Sequence, residues 1–392
     1  MKKGRLIRRG LAVVVLVYLI WLTAQIVPFK RYGTADRAAT ALSADTPKDW
    51  EIEGVYHVHS RFSDGRRTAD AIAAIGAKAG LDFVILTDHG APNEASLAAQ
   101  GRKSGILLLA GCEISSSRGH LAAMGFTAPT RPFSAAAEMA ALEVAGLGGF
   151  TVIAHPYSKT RWSWGEWAGY GGIEVFNGDT TVKRRIVRTL LSLPGLLARP
   201  EPVLLRLLEP PTAELGKWDR LAVVHPLQAY FAVDAHFGYG PLFTLFRLHV
   251  LLDTPPAPGF ETARDQVFAA LKAGRFYNAV EAAAVARGFR FWAERGGAVL
   301  EMGSIVPTAA TADPAGDASI RFVVRTPFAF GHETRLLRDG AEVARSTGPE
   351  LVYETAEKGV FRVEVFLRER TPLDPRVPWI VSNPIFLERS RR

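Results

Sequence analysis

The chain is poor in cysteine. Cys112 is the single cysteine among 392 residues, so no disulfide can form within the chain and no cluster of thiolates can hold a metal ion. Neighbouring residues of a strand point to opposite faces, and Cys112 is therefore expected to turn away from Glu113. An apolar structural thiol is the predicted role.

Motifs of several common enzyme classes are also missing. The sequence has no Gly-x-Ser-x-Gly elbow of a serine hydrolase, no Walker-type phosphate loop and no dinucleotide-binding glycine fingerprint. It has no internal repeat either. These absences disfavour the corresponding nucleophilic, nucleotide-dependent and repeat architectures.

Acidic residues are missing from the first thirty positions. The net charge of +8 includes five cations at positions 2–9, which leaves +3 for the rest of the chain. Binding to nucleic acid needs a basic stripe on the folded part of a protein, and this remainder does not supply one. No nucleic-acid partner is therefore expected.

The basic cluster precedes twenty uncharged residues at positions 10–29. Twenty helical residues span about 30 Å, the thickness of a bilayer core, and a flanking positive cluster stays in the cytoplasm. We therefore predict an N-terminal transmembrane anchor or signal at residues 1–29, which makes the membrane a partner. The rest of the chain would be extracytoplasmic, in the periplasm or at the cell exterior, and would be secreted if a signal peptide is cleaved.

The remaining pattern predicts an α/β protein with about two globular units. A linker at residues 30–50 precedes apolar strands that alternate with helices over residues 51–288, which indicates a parallel sheet. Residues 179–220 form an insertion rich in Leu, Arg and Pro, for which helices packed on the exterior, a lid and a membrane contact are open alternatives. Period-two patterns predict a β-sandwich-like domain over residues 289–392.

Potential metal ligands recur at the ends of the predicted strands. His57 and His59 are two residues apart on a strand, so their side chains leave the same face. Gly65 permits a sharp turn that returns Asp64 to the strand end. A barrel collects its functional side chains at one such edge. The predicted metal ligands are His57, His59, Asp64, His89, Glu113, His120, His155, Asp234 and His236.

Some neighbouring residues leave alternatives open. Asp88 could orient an imidazole or cap a loop, and Asn177 could line the pocket or serve the surface. Of the two His-Pro pairs, the one at His155 is favoured over the one at His225. Cations that could contact an anionic substrate, each with a solvated surface position as the alternative, are Arg61, Arg66, Arg67, Lys159 and Arg161.

Short motifs surround these ligands. They are His57-Val58-His59, Ser63-Asp64-Gly65, Thr87-Asp88-His89, Gly111-Cys112-Glu113, Ala154-His155-Pro156 and Asp234-Ala235-His236. Together they resemble the polymerase and histidinol phosphatase (PHP) superfamily of metal-dependent hydrolases, and most of all its exported or membrane-anchored members of the carbaryl hydrolase type. The resemblance implies a distorted (β/α)7 barrel.

The resemblance also implies three cation positions. It assigns the first to His57, His59, Glu113 and Asp234. It assigns the second to Glu113, His120 and His155, and the third to Asp64, His89 and His236. Many relatives have a histidine where this chain has Asp64. Two or three divalent ions are expected, and nitrogen and carboxylate ligands suit Zn, Mn and Fe alike.

The expected activity is hydrolysis of a small-molecule ester. The resemblance implies a phosphoesterase that uses a metal-bridging hydroxide, with Glu113, Asp234 and His236 as catalytic residues. Clustered cations lower the pKa of a bound water and neutralise the reacting oxygens. Hydrolysis of carbamate or carboxylic esters at the same site is one alternative. A non-enzymatic, membrane-tethered metal-binding or sensory module is the other.

Overall fold

The structure is a mixed α/β fold with a sheet-rich C-terminal part. It is a computed structural model that describes residues 2–32, 50–158, 162–167, 169–306, 319–326 and 328–387, with only the backbone of residues 2–9. Most of the predicted linker at 30–50 lies outside the described residues.

Strands occur in two groups. The first group is β1 (Trp50–Val58), β2 (Phe83–Leu86), β3 (Gly101–Lys103), β4 (Ile106–Ala110), β5 (Cys112–Ser116), β6 (Gly119–Met124), β7 (Phe150–Ile153), β8 (Gly172–Asn177), β9 (Gln228–Ala232), β10 (Arg247–Leu252) and β11 (Phe276–Ala279). The second group is β12 (Arg290–Arg295), β13 (Ala298–Glu301), β14 (Ile305–Val306), β15 (Ile320–Arg325), β16 (His332–Arg338), β17 (Ala341–Ser346), β18 (Glu350–Thr355), β19 (Gly359–Leu367), β20 (Ile380–Ser382) and β21 (Ile385–Leu387).

Helices lie at the N-terminus and between the strands of the first group. They are α1 (Lys2–Ile26), α2 (Ala69–Lys78), α3 (Glu94–Ala98), α4 (Ala137–Gly146), α5 (Gly178–Arg184), α6 (Ile186–Leu191), α7 (Leu193–Ala198), α8 (Pro200–Leu207), α9 (Thr212–Ala222), α10 (Tyr239–Leu245) and α11 (Phe260–Ala273).

Strands β1, β2 and β4 to β9 belong to two sheets that meet at both edges, and we call this set the ring. β1, β2 and β4 are parallel neighbours, and β7, β8 and β9 are parallel neighbours in a second sheet. The antiparallel strands β5 and β6 lead into β7. At one junction Ala235 bridges Val58 and its N–H donates to the carbonyl of His57 at 3.2 Å, and at the other His89 bridges Glu113. The carboxyl ends of β1, β2, β8 and β9 therefore converge on one region.

The ring strands are apolar on both faces. Every residue of β2 and β4 is buried. Val84 and Leu86 pack in one hydrophobic cluster with α2, whereas Phe83 and Ile85 pack in another with Tyr56 and α11. Strands covered on both sides are expected to read as continuous hydrophobic runs. The first helix after β1 is α2, whose N-cap is Thr68.

The C-terminal strands are joined to the first group by backbone pairing. β20 pairs antiparallel with β11, and β19 pairs with β16, β20 and β21. The strands β12, β13, β15 and β18 form a separate four-stranded sheet. Asn383 strengthens the junction because its side chain accepts from the N–H of Ala229 and donates to the carbonyl of Phe276. One sheet therefore crosses the boundary predicted at residues 288/289.

The predicted transmembrane segment is not supported. α1 is helical, as expected for residues 1–29, but in the part of the chain that the structure describes no helix combines the length and apolar character needed to cross a bilayer.

The insertion is a series of short helices, α5 to α9. Pro194 and Pro200 lie in the first turns of α7 and α8, where a missing N–H is tolerated. α8 and α9 bury apolar side chains such as Leu205 and Trp218, which matches the exterior-packing alternative. α6 and α7 instead keep most of their large apolar side chains exposed.

Buried charges surround the start of β1. Arg247 and Arg287 each pair with Glu53 at 2.5 Å, and Arg290 pairs with Glu51 at 2.8 Å. His249 lies between two further carboxylates, 2.8 Å from Glu51 and 3.2 Å from Glu281. Buried charges are tolerated when they are paired and hydrogen-bonded, as they are here.

Stability is predicted to fall at alkaline pH because of His249. Burial lowers its pKa, but Glu53, Glu281 and Glu51 outweigh burial and raise the pKa to about 9. Because the folded pKa exceeds the unfolded value, the contribution is fully present below about pH 6.5 and lost as pH rises through 9. We expect a loss of roughly 3 kcal/mol in the free energy of unfolding. Urea unfolding at several pH values should show it in the wild type and not in His249→Gln; equal pH dependence in both would contradict it.

Candidate metal centre

Two imidazoles and two carboxylates converge at the end of β1. The Nε2 atoms of His57 and His59 lie 3.3 and 3.2 Å from Oε2 of Glu113. Both lie 3.4 Å from Oδ1 of Asp234. Although these atoms are close, neither Nε2 has a hydrogen-bond partner, and both are fully buried. Orphaned nitrogens aimed at carboxylate oxygens fit a bound cation, because buried polar atoms otherwise find partners.

The second oxygen of Glu113 faces a different pair of imidazoles. Oε1 lies 2.8 Å from Nδ1 of His120 and 2.9 Å from Nε2 of His155. Glu113 is itself almost fully buried. One carboxylate thus presents one oxygen to each of two ligand groups, an arrangement that can bridge two cations.

A third group lies at the mouth of the site. Oδ2 of Asp64 is 3.2 Å from Nε2 of His236 and 3.7 Å from Nε2 of His89. The ring of His236 stacks on that of His59 at 4.2 Å, and Nδ1 of His59 lies 3.4 Å from Oδ1 of Asp64. The structure therefore brings all nine predicted ligands together, although they are spread over 180 positions of sequence.

The grouping differs in detail from the one that the resemblance implies. His59 can belong to the group of Asp64, His89 and His236 as well as to that of His57 and Asp234. His89 can also join Glu113 and His120, because its Nδ1 lies 3.4 Å from Oε2 of Glu113. Shared ligands are compatible with two or with three cations.

Three of the ligands have left-handed backbone conformations. The φ angles of His57, His155 and Asp234 are 67°, 29° and 47°. Non-glycine residues in this region cost on the order of 1–3 kcal/mol each and persist where the surroundings hold them. A hydrogen bond holds the backbone of His155 in this conformation, because its N–H donates to the carboxylate of Glu174 at 2.7 Å. Each of these three residues therefore combines a left-handed backbone with a side chain that faces the site.

Asp88 fixes the loop that carries Asp64. It accepts hydrogen bonds from the N–H of Ser60 at 2.7 Å, the hydroxyl of Ser60 at 2.8 Å and the hydroxyl of Ser63 at 2.7 Å. Asp88 thus adopts the loop-capping alternative, because its oxygens bond Ser60 and Ser63 instead of an imidazole. Gly65 is needed for space, because a Cβ there would lie 2.2 Å from the carbonyl oxygen of His59.

Glu174 on β8 supports the ligands and was not predicted. Its carboxylate accepts from Nδ1 of His57 at 2.6 Å and from the hydroxyl of Tyr56 at 2.8 Å. An imidazole whose Nδ1–H is held this way turns its Nε2 towards a metal ion. The available signal was an acidic residue inside an otherwise apolar strand, Gly172–Asn177.

Asn177 links the same carboxylate to a second ligand. Its side-chain amide donates to Glu174 at 2.8 Å and to Oδ2 of Asp234 at 3.0 Å, while its oxygen accepts from the N–H of Thr180 at the start of α5. It also borders a cavity of about 70 Å³ beside His155. Asn177 therefore lines the site, which was one of its two predicted alternatives. Its amide also holds the carboxylate of Asp234 in position.

Replacing Glu174 with Gln should weaken metal binding and turnover by roughly 10–100-fold, the usual effect of removing a group that orients a ligand. The variant loses the charge that holds His57, but keeps the size of the side chain. Metal affinity by titration and kcat would be measured together. Glu214→Gln is the matched control, because Glu214 is also buried and pairs with Arg184, not with a ligand. Equal behaviour of the two variants would refute this role.

Negative charge dominates the interior of the site. Burial by itself would lower the pKa of His57, but Asp234, Glu174 and Glu113 hold it well above its usual range. Burial raises the pKa of Glu113, and the neighbouring imidazoles outweigh it and hold the pKa well below its usual range. Such a site attracts cations, and the protons on its histidines leave when a metal binds.

The predicted anion contacts are distributed differently from expectation. Arg61, Arg66 and Arg67 are exposed to solvent, which agrees with the alternative that they occupy solvated surface positions. Lys159 and Arg161 lie outside the described residues. Lys183 on α5 was not proposed for this role. Burial lowers its pKa, but Asp179, Asp234 and Asp64 outweigh burial and raise it, so a cation lies within electrostatic reach of two ligands.

Other candidate ligands do not fit a metal ion. Glu53, His249 and Glu281 approach one another closely, but arginines already pair with these carboxylates. His225 belongs to none of the ligand groups among the described residues. Cys112 is buried in the hydrophobic core, where burial raises the pKa of its thiol, as expected for a structural residue.

Comparisons with known proteins add distant likenesses. No family model and no curated protein matches the chain. A two-domain protein from Bacteroides vulgatus, containing a predicted PHP-like metal-dependent phosphoesterase, is similar with a TM-score of 0.41 and 13% identity over 92% of this chain and 99% of that one. A proposed metal-dependent phosphoesterase from Bifidobacterium adolescentis has a TM-score of 0.33 and 16% identity, with 48% and 88% of the chains covered.

An amidohydrolase from Chromobacterium violaceum, with bound sulfate and no metal, has a TM-score of 0.30 and 20% identity, with 47% and 87% covered. At these TM-scores none of the three establishes an activity for this chain. The geometry itself defines a mixed α/β protein with clustered His, Asp and Glu side chains that suit divalent metal ions.

Proposed function

We propose that this chain is a metal-dependent hydrolase of the PHP superfamily that cleaves phosphate esters. The observation that carries the proposal is Glu113, whose two oxygens face separate sets of imidazoles within 3.4 Å. A structural metal site needs one closed ligand set, whereas adjoining sets are typical of centres that bind and activate a substrate. The sequence motifs support the same superfamily.

The proposed ligands differ in how deeply they are buried. His57 and His59 are 0% exposed and hold the innermost position, whereas the side chains of His89, His120 and His236 are 32%, 36% and 23% exposed. A substrate would therefore approach from the exposed side. Divalent cations held there would polarise the ester and lower the pKa of a water.

Three residues are proposed as catalytic. Glu113 would keep two cations adjacent, and Asp234 would keep one carboxylate oxygen at the centre while Asn177 holds the other. His236 lies at the mouth with Nε2 beside Asp64, where it would help to hold a cation that orients the substrate. Lys183, whose ammonium pairs with Asp179 on α5, would offset part of the negative charge near the ligands when an anionic substrate enters.

The test is turnover by metal-reconstituted protein on a panel of phosphomonoesters, phosphodiesters, carbamates and carboxylic esters. We expect phosphoester turnover that a chelator abolishes and that His120→Ala removes. His225→Ala, outside the ligand groups, should retain it. Turnover of carbamates or carboxylic esters alone would reject the phosphoesterase assignment. Full metal loading without any turnover would favour a metal-binding or sensory module.

A further inference from the structure

An apolar surface remains exposed on the outer helices of the insertion. It comprises six large side chains of α6 and α7 that are 49–81% exposed: Ile186, Val187, Leu190, Leu191, Leu193 and Leu197. We call these six residues the α6–α7 edge. Single exposed hydrophobic residues are ordinary, but a run of them marks a contact surface.

The edge adjoins the C-terminal half of α1. The hydroxyl of Tyr18 donates to the carbonyl of Leu191 at 2.9 Å. α7 packs closely here, since a Cβ on Gly195 would lie 3.2 Å from Ile26 and 3.6 Å from Leu22. The α6–α7 edge and α1 therefore form one continuous surface.

The shape of that surface argues for lipid and against a protein partner. Leu11 and the apolar residues at 13–17, 19 and 20 of α1 are 48–64% exposed. Successive residues of a helix are about 100° apart, so this run is apolar on every side. A protein groove covers one face of a helix. A helix segment that is apolar on all sides is usually buried in a protein core or in lipid, and because this run is exposed to solvent in the structure, lipid is favoured.

The segment that carries the edge is cationic. Residues 185–199 contain three arginines, Arg185, Arg188 and Arg199, and no acidic residue, although Arg185 pairs with Glu209 from the end of the insertion. Amphipathic helices at membrane surfaces combine apolar side chains with such cations, which bind anionic headgroups. The α6–α7 edge has both features.

We propose that the α6–α7 edge docks on an anionic lipid surface beside α1. The apolar side chains would enter the boundary between headgroups and acyl chains, with Arg188 and Arg199 at the lipid phosphates. α6 follows α5, and Asn177, the N-cap of α5, contacts Asp234 of the metal centre. Docking would therefore hold the metal centre near the membrane. This contact is independent of the proposed hydrolase activity.

The single buried cysteine makes a site-specific test possible. Val187→Cys and Leu197→Cys in the full chain can be labelled with a polarity-sensitive fluorophore, because Cys112 is buried. With vesicles of phosphatidylcholine and phosphatidylglycerol, we expect a blue shift and loss of quenching by aqueous iodide. Val299→Cys, exposed on β13, is the control and should stay accessible to iodide.

The outcomes distinguish lipid binding by the α6–α7 edge from lipid binding by α1 alone and from association of two copies of the chain. Vesicle binding with both edge labels still quenched by iodide would overturn the proposal, as would the absence of vesicle binding. A blue shift that grows with protein concentration without vesicles would indicate a second copy of the chain and would also overturn it. Arg188→Gln should weaken binding to anionic vesicles about fivefold, whereas Arg345→Gln on β17 should not. An unchanged Arg188→Gln would reject the headgroup contact.

Discussion

Replacing Glu113 with Gln is expected to reduce turnover by on the order of 10³-fold or more, as for other groups that contact the reacting centre. Its two oxygens serve both inner ligand groups: Oε2 approaches His57 and His59, and Oε1 approaches His120 and His155. Glutamine keeps the shape but has one acceptor oxygen and no charge. The number of bound metal ions should fall together with kcat.

The matched control for this variant is Glu138→Gln. Glu138 is a half-buried carboxylate on α4 that pairs with Arg118 and belongs to no ligand group among the described residues. Circular dichroism would show that both variants fold. Glu113→Gln protein with unchanged metal content and kcat would show that the two ligand groups do not share this carboxylate.

Replacing Glu51 with Ala is expected to cost about 3–5 kcal/mol in the free energy of unfolding, the range for breaking a buried ion pair. The side chain is buried at the start of β1 and accepts four hydrogen bonds, from His249 at 2.8 Å, Tyr277 at 2.6 Å, Gly288 at 3.1 Å and Arg290 at 2.8 Å. Without Glu51, the buried guanidinium of Arg290 would lose its ion pair with this carboxylate. Urea or thermal unfolding would measure the loss.

A surface pair provides the comparison. Glu350→Ala breaks the contact with Arg325, in which Glu350 is 43% exposed, and should cost less than about 1 kcal/mol. Because the ligands occupy the other end of β1, kcat per folded molecule should be nearly unchanged in Glu51→Ala. A destabilisation as small as that of Glu350→Ala would contradict a structural role for the network.

The sequence was most informative where a polar side chain interrupts an apolar strand. His57, His59, Glu113 and Asp234 stand out against such strands, and in the structure they lie together. Glu174 carries the same signal, but its role in supporting the ligands was not predicted. Its role depends on contacts with His57, 117 residues away in sequence.

Other features depend on packing that local patterns do not encode. The left-handed φ angles of His57, His155 and Asp234 accompany long-range hydrogen bonds, such as those from the His155 N–H to Glu174 and from the Ala235 N–H to the carbonyl of His57. The pairing of β11 with β20 joins segments about one hundred residues apart, and period-two patterns predict strands without naming their partners. The apolar run of 10–29 predicted a transmembrane helix, which the described residues do not support.

The most direct test of the metal centre is crystallography of protein reconstituted with Mn, Zn or Fe, with anomalous scattering measured at the metal edge. The centre described here predicts at least two anomalous peaks, one on each side of the Glu113 carboxylate, within coordination distance of the imidazoles that face its oxygens. No peak at Glu113, or a peak confined to Glu53, His249 and Glu281, would contradict it.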